Sequence, residues 1–266
     1  MSNDISSKHT FVICAYRESQ FLEECVLSVL NQKCKSTVIM STGTPNAHIE
    51  AIAKKYNLQL YVNQGKSSIA NDWNFALECA NTEIVTLAHQ DDIYESEYSK
   101  KIVDAYQKAK DPIIVFSDYS ELRGGAKVKT NQLLKIKRIM LFPLRFSCMW
   151  KSRFVRRRIL SFGCAICCPA VTFVKTKIPV SLFENNMKSN IDWQAWELLS
   201  RVRGSFVYIK EPLMGHRIHQ ESTTSSLLVD NARKQEDLFV FEKFWPKWIA
   251  RLIEKVYQLS EKSNNL

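Results

Sequence analysis

The sequence predicts an α/β fold: a Rossmann-like, mostly parallel sheet flanked by helices, followed by a C-terminal helical extension. Four short, β-branched apolar runs alternate with amphipathic helical patterns before Glu95, as repeated βαβ units do. Each run stops at polar, turn-forming residues, and in an open parallel sheet such loops gather at the strands' carboxyl ends. With 266 residues, 45% of them hydrophobic, the chain can bury one large core or a core plus an extension.

The first strand is Thr10–Ala15, ending at Tyr16-Arg-Glu-Ser19. Ser19 is of a helix-capping type, and Phe21, Leu22, Cys25, Val26, Val29 and Leu30 follow it at helical spacing. Thr37–Met40 reads as the second strand, running into the turn-rich Ser41–Asn46, and Ala47–Tyr56 as the second helix. Leu58–Val62 is the third strand. Asn63-Gln-Gly-Lys-Ser67 then opens a helix with Ile69, Trp73, Ala76, Leu77 and Ala80 on one face. The fourth strand, from Ile84, stops at His89-Gln-Asp-Asp92; a helix from Glu97 to Lys110 and a buried strand, Pro112–Ser117, follow. Farther on come a helical pattern over Asp192–Leu199 and a strand, Phe206–Ile209. From Asp230 to Ser260 the pattern is helical, with Leu238, Phe241, Trp245, Trp248, Leu252 and Val256 on one side.

Asp91 and Asp92 are the sharpest local signal. Adjacent carboxylates at the end of a buried strand offer hard oxygen ligands that suit Mg²⁺ or Mn²⁺ held with substrate phosphates. The plainer reading, two acids capping the next helix, stays open from these residues alone. Eight scattered cysteines read as reduced core thiols; Cys164, Cys167 and Cys168 cluster without a second Cys/His pair at zinc spacing. No apolar run is long enough for a transmembrane helix, and the N-terminal residues lack a signal-peptide core, so a cytoplasmic protein is expected.

The charge is uneven. The net charge is +10, yet no acid lies between Glu121 and Glu184, a segment holding 14 Lys and Arg. Without it, 23 bases face 27 acids. From Lys135 to Arg158 the bases interleave with Ile139, Phe142, Phe146, Phe154 and other apolar residues, and Pro143 divides the run into two short helices. Such a pair fits peripheral docking on an anionic membrane surface, or a surface helix pair packed on the sheet. No nucleic-acid-binding motif accompanies the charge, so no nucleic-acid partner is expected.

The motif order carries a resemblance. A first strand ending in Ala-Tyr-Arg-Glu, an Asn-x-Gly loop opening a helix, a strand ending in His-Gln-Asp-Asp-Ile-Tyr, then Ile-Asp-Trp-x-x-Trp and His-Arg-Ile-His together resemble a family 2 glycosyltransferase. Bacterial members that build capsular or other surface polysaccharides are similar in particular. The resemblance covers roughly residues 10 to 225 and implies a GT-A fold, a nucleotide-diphosphate-sugar donor (a UDP-sugar is expected) and a divalent cation, Mn²⁺ or Mg²⁺. It implies an acceptor that is a saccharide or lipid-linked, and transfer with inversion.

By the same resemblance, Ala15, Tyr16 and Glu18 line the nucleobase and ribose. Ser41 and Thr42 stand where the family often has two acids, so hydroxyls replace the usual base contact. Gly65 and Asn71 lie beside the donor, His89 takes the place of the first acid of the metal motif, and Arg217 with His216 holds the diphosphate. Asp91, Asp92 and His219 are the implied metal ligands, and Asp192 is the implied catalytic base. Helical geometry separates Asp192 from Glu197 by about 140°, so they serve different faces; Glu197 is expected to make a surface or structural contact. The domain organisation expected is a transferase domain over 1–228, including a basic helical insertion at about 127–160, and a helical extension over 229–266. Two other classes remain: a non-catalytic nucleotide-sugar-binding module, which needs no base, and a nucleotidyltransferase, which would favour a Gly/Lys-rich phosphate loop where Ala15-Tyr-Arg-Glu18 stands.

Overall fold

The computed structural model describes residues 4–219 and 232–262. Strands β1 (His9–Ala15), β2 (Thr37–Thr42), β3 (Gln59–Val62) and β4 (Ile84–His89) alternate with helices α1 (Leu22–Leu30), α2 (Ala47–Lys55) and α3 (Ile69–Cys79). All four strands are parallel, in the spatial order β3-β2-β1-β4. β1 and β4 are buried on both faces, which is why they read as continuous apolar runs. Asn46 and Ser68 cap α2 and α3 by accepting the N–H groups of Ile49 and Asn71. The expectation for Ser19 fails: α1 starts at Leu22, and the Ser19 hydroxyl accepts the N–H of Phe21 from outside the helix.

Past Asp92 come a two-residue strand, β5 (Ile93–Tyr94), and α4 (Tyr98–Lys108). Two strands are much longer than the apolar runs that announced them: β6 (Pro112–Arg123) and β9 (Ser205–Ile218) run parallel through two register shifts near Asp118. Their distal halves carry polar residues that alternation alone marks as loop. β8 (Val171–Val174) inserts antiparallel between β4 and β6, so the sheet is parallel in its first half and mixed in its second. β7 (Ala126–Val128) turns back on β6 through Gly124 and Gly125, both at positive φ, where a side chain would be strained.

The basic segment forms α5 (Gln132–Leu141), two 3₁₀ turns beginning at Pro143's turn, and α6 (Arg153–Leu160). Many of its cations are paired with acids from elsewhere: Arg123 with Glu121, Lys127 with Glu95, Arg138 with Asp118, Arg157 with Glu197 and Lys177 with Asp111. Arg156 is fully buried and donates to the carbonyls of Ser200, Val202 and Gly204, while Arg158 lies 4.3 Å over Trp245. These three arginines hold the fold together and do not form a free basic face. Ile139, Phe142, Phe146 and Phe154 are exposed.

α7 (Ile191–Arg201) buries Trp193 and Trp196 completely. The final helical pattern is two helices, α8 (Ala232–Glu242) and α9 (Lys247–Lys262), because Pro246 cannot continue a helix and restricts Trp245 before it. The expected single apolar side is likewise divided: Phe241 is buried against Trp193 at 4.9 Å, but Trp248 and Leu252 are exposed. Val240, Phe241 and Ala250 share one core cluster with the sheet. The expected boundary at 228/229 falls outside the described residues. Among the described residues no helix is long and apolar enough to cross a membrane.

Candidate active site

The loops after β1, β2, β3 and β4 meet at the strands' carboxyl ends. Tyr16, Arg17 and Glu18 are exposed there, and Arg17 has a φ of 53°, so the chain turns sharply out of the sheet. Gln90 fixes this turn by accepting the Tyr16 N–H (2.8 Å) and donating to the Tyr16 carbonyl (2.9 Å). Ala15 is buried below.

At the end of β2, Ser41 and Thr42 are buried, and the Thr42 hydroxyl accepts the N–H of Thr44. An acid nonetheless reaches this corner. Asp72, in the first turn of α3, projects to Gly43 so closely that a Cβ on Gly43 would stand 2.3 Å from its Oδ1. Asn63 and Ser67 each donate to the Asp72 carboxylate at 2.8 Å. Sequence reasoning passed over Asp72, because nothing local couples it to a glycine on another strand. Gly65 donates its N–H to Asn63, and Asn71 donates to the Lys66 carbonyl, so both shape the same loop.

The residues expected to hold a metal sit at the end of β4. Ligand atoms of His89, Asp91 and Asp92 all lie within 4.8 Å of one another. His89 stacks on Trp73 at 4.8 Å, and burial pushes its imidazole down to about 4, so it is neutral at physiological pH. Its Nε2 is buried with no hydrogen-bond partner among the described residues. Asp92 is completely buried and accepts from His216 Nδ1 (3.1 Å) and the Arg217 N–H (2.8 Å). The short β5 makes this meeting possible: pairing Ile93 with Gly215 and Tyr94 with Met214 lays the end of β9 beside Asp92. Burial alone would depress His216, but the Asp92 carboxylate outweighs it and holds the imidazole above its ordinary value. His219 Nε2 lies 3.0 Å from Asp91 Oδ2.

Arg217 also converges here, though it spends its guanidinium within the chain. It donates to the Asp91 carbonyl (2.8 Å), pairs with Glu24 and lies 4.3 Å over Phe21, tying α1 to β9.

Asp192 is the second residue of α7. Its Oδ1 accepts the Trp193 N–H (2.7 Å), its Oδ2 accepts the Cys164 thiol (3.7 Å), and burial raises its carboxyl above the ordinary aspartate range. The Cys167 thiol, raised first by burial, is raised further by both Asp92 and Asp192, so the two carboxylates act on one loop. Glu197 points elsewhere: it is buried and bridges Arg157 (2.7 Å) and Arg201 (2.8 Å), the structural role expected of it.

Comparison with known proteins agrees with this geometry. The chain resembles S. aureus TarS 1–349 in complex with UDP-GlcNAc (TM-score 0.64, 14% identity, 93% of this chain and 70% of that one). It also resembles M. tuberculosis glucosyl-3-phosphoglycerate synthase in complex with Mn²⁺ and UDP-glucose (TM-score 0.57, 12% identity, 90% and 79%). A third likeness is to a mannosyltransferase from Pyrobaculum calidifontis in complex with GDP-Man and Mn²⁺ (TM-score 0.58, 13% identity, 89% and 63%). These likenesses show a GT-A fold. An uncharacterized glycosyltransferase of Haemophilus influenzae is 23% identical in a 243-residue alignment; the match takes in 80% of this chain and 66% of that relative's length. The signature of glycosyl transferase family 2 matches residues 10–167, more than half of the chain. The chain belongs to glycosyl transferase family 2.

Proposed function

We propose that the protein transfers a sugar from a nucleotide-diphosphate sugar, a UDP-sugar by preference, to a saccharide or lipid-linked acceptor in bacterial surface polysaccharide synthesis. The grouping of His89, Asp91 and Asp92 at the end of β4 carries this reading. A donor set of two carboxylates and a neutral imidazole with an unpartnered buried nitrogen fits Mn²⁺ or Mg²⁺. His89, Asp91 and Asp92 would hold the ion, with His219, 3.0 Å from Asp91 Oδ2, beside them; when bound, it would neutralise charge on the departing diphosphate. Tyr16, Glu18 and Gly65 line the donor, and Asp72 supplies the acid that Ser41 and Thr42 do not. Arg217 anchors the floor of the diphosphate site.

Asp192 takes the proton of the acceptor hydroxyl as its oxygen bonds to the anomeric carbon. The bond from that carbon to the phosphate oxygen breaks, and the nucleoside diphosphate leaves. Attack opposite the leaving group inverts the centre. The raised carboxyl of Asp192 suits a base. Residues 232–262 serve the same catalytic unit, and the exposed Ile139, Phe142, Phe146 and Phe154 form a face for peripheral contact with anionic lipid at the inner side of the cell membrane.

A thermal-shift screen of nucleotide sugars with and without Mn²⁺ tests this reading. A preferred UDP-sugar should raise Tm in a metal-dependent way, because binding to the folded state stabilises it by mass action. Asp91→Asn should abolish both that dependence and transfer. A variant that turns over normally would overturn the metal role of Asp91.

A further inference from the structure

A groove of about 460 Å³ opens between α5 and α9. Ile136 and Met140 form one wall, Leu252 and Ile253 the other, and Phe162 closes it. Lys137 is the charged residue of the lining. Its ammonium donates to the Tyr119 hydroxyl at 3.0 Å and has no carboxylate within ion-pair distance among the described residues. Cys164 also lines the groove, and the same thiol donates to Asp192 Oδ2. The groove therefore ends one side chain from the candidate base.

The walls decide what fits. They offer almost nothing to bond a hydroxyl-rich glycan, whereas hydrocarbon buried there is stabilised by leaving water. The Lys137 ammonium keeps donors beyond the one given to Tyr119, and Asp192, the carboxylate that feels its charge, is not within ion-pair distance, so an anion in the groove can pair with it. Leu252 and Phe162 of the lining are exposed, so a chain leaving the groove meets an apolar rim.

We propose that this groove is the acceptor subsite and receives a sugar carried on a lipid phosphate. The hydrocarbon lies between α5 and α9, Lys137 pairs with the phosphate, and the sugar reaches Asp192 past Cys164. The proposal rests on Asp192 being the base and names the acceptor class for it.

The test uses citronellyl phosphate, a soluble isoprenoid phosphate, titrated calorimetrically into the full chain beside citronellol and inorganic phosphate. The phosphate ester should bind about 10-fold more tightly than the alcohol, the scale of one charge-assisted contact, and inorganic phosphate should give no signal. Lys137→Met should remove the ester's advantage and leave alcohol binding as it was. Leu252→Glu, at an exposed position that does not threaten folding, should weaken both isoprenoids. Equal binding of ester and alcohol to the wild type, no binding of either, or indifference to Leu252→Glu overturns the proposal. So does sedimentation showing that Leu252→Glu converts a dimer to a monomer, which assigns the groove to a second copy of the chain. The metal-dependent thermal response to UDP-sugars is read in parallel. If it persists without isoprenoid binding, the groove proposal alone fails; isoprenoid binding without it sinks the metal-dependent UDP-sugar reading instead.

Discussion

At the scale of single residues, the site depends on acids held by neighbours that sequence does not couple. Asp72 reaches the corner of β2 because Gly43 has no side chain there and because Asn63 and Ser67 fix its carboxylate. Asp72→Asn should keep the fold and weaken donor binding about 10-fold by titration, the loss expected for one hydrogen bond to a charged group. Gly43→Ala should lower both Tm and donor affinity, since either Asp72 or the turn must move. Asp192 joins function to stability in opposite senses. Burial raises its folded carboxyl above the unfolded value, so the stability it gives is present below the unfolded pKa and is lost as pH rises through the folded one. At neutral pH the carboxylate is therefore a cost to the fold. Asp192→Asn should raise Tm at pH 7, converge with wild type in acid, and cut turnover by about 10²-fold or more. An active variant, or one destabilised at pH 7, would refute the assignment.

At the scale of elements, α6 is fastened to the turn between α7 and β9 by one side chain. Arg156 donates to three carbonyls, of Ser200, Val202 and Gly204, and its guanidinium lies 4.9 Å over Phe206. Gly204 has a φ of 134°, and a Cβ there would stand 2.7 Å from the Asp111 carbonyl, so this turn leaves no slack. Arg156→Gln should cost about 3 kcal/mol or more in chemical denaturation, because buried carbonyls lose their donors and a cavity opens. Donor binding in the folded fraction should persist, since the turn lies away from the donor loops. A change below 1 kcal/mol, the usual limit for an exposed cation, would show that these hydrogen bonds do not hold the turn.

At the scale of the whole molecule, α8 and α9 belong to the core. Phe241 and Tyr257 pack on Trp193, and Trp245 donates its indole N–H to the Ser161 carbonyl. Ending the chain before Ala232 should expose Trp193 and abolish a single cooperative unfolding transition; a truncated chain with unchanged Tm would make the helices a separate unit. The sequence by itself determined the parallel half of the sheet, since β1 and β4 are buried on both faces and their apolar, β-branched runs can form little else. It also located Asp91 and Asp92, because carboxylates that end a buried strand lie at the ligand-binding edge. Tertiary structure alone decided the mixed half of the sheet, where β6 and β9 extend through polar residues whose partners are about a hundred positions away. It decided too that Arg156 is buried, that Asp72 stands against Gly43, and that His216 rests on Asp92 through the pairing of β5 with β9. Periodicity reports the face a residue turns to its own element, whereas charge pairing and close approach depend on which distant segment folds against it.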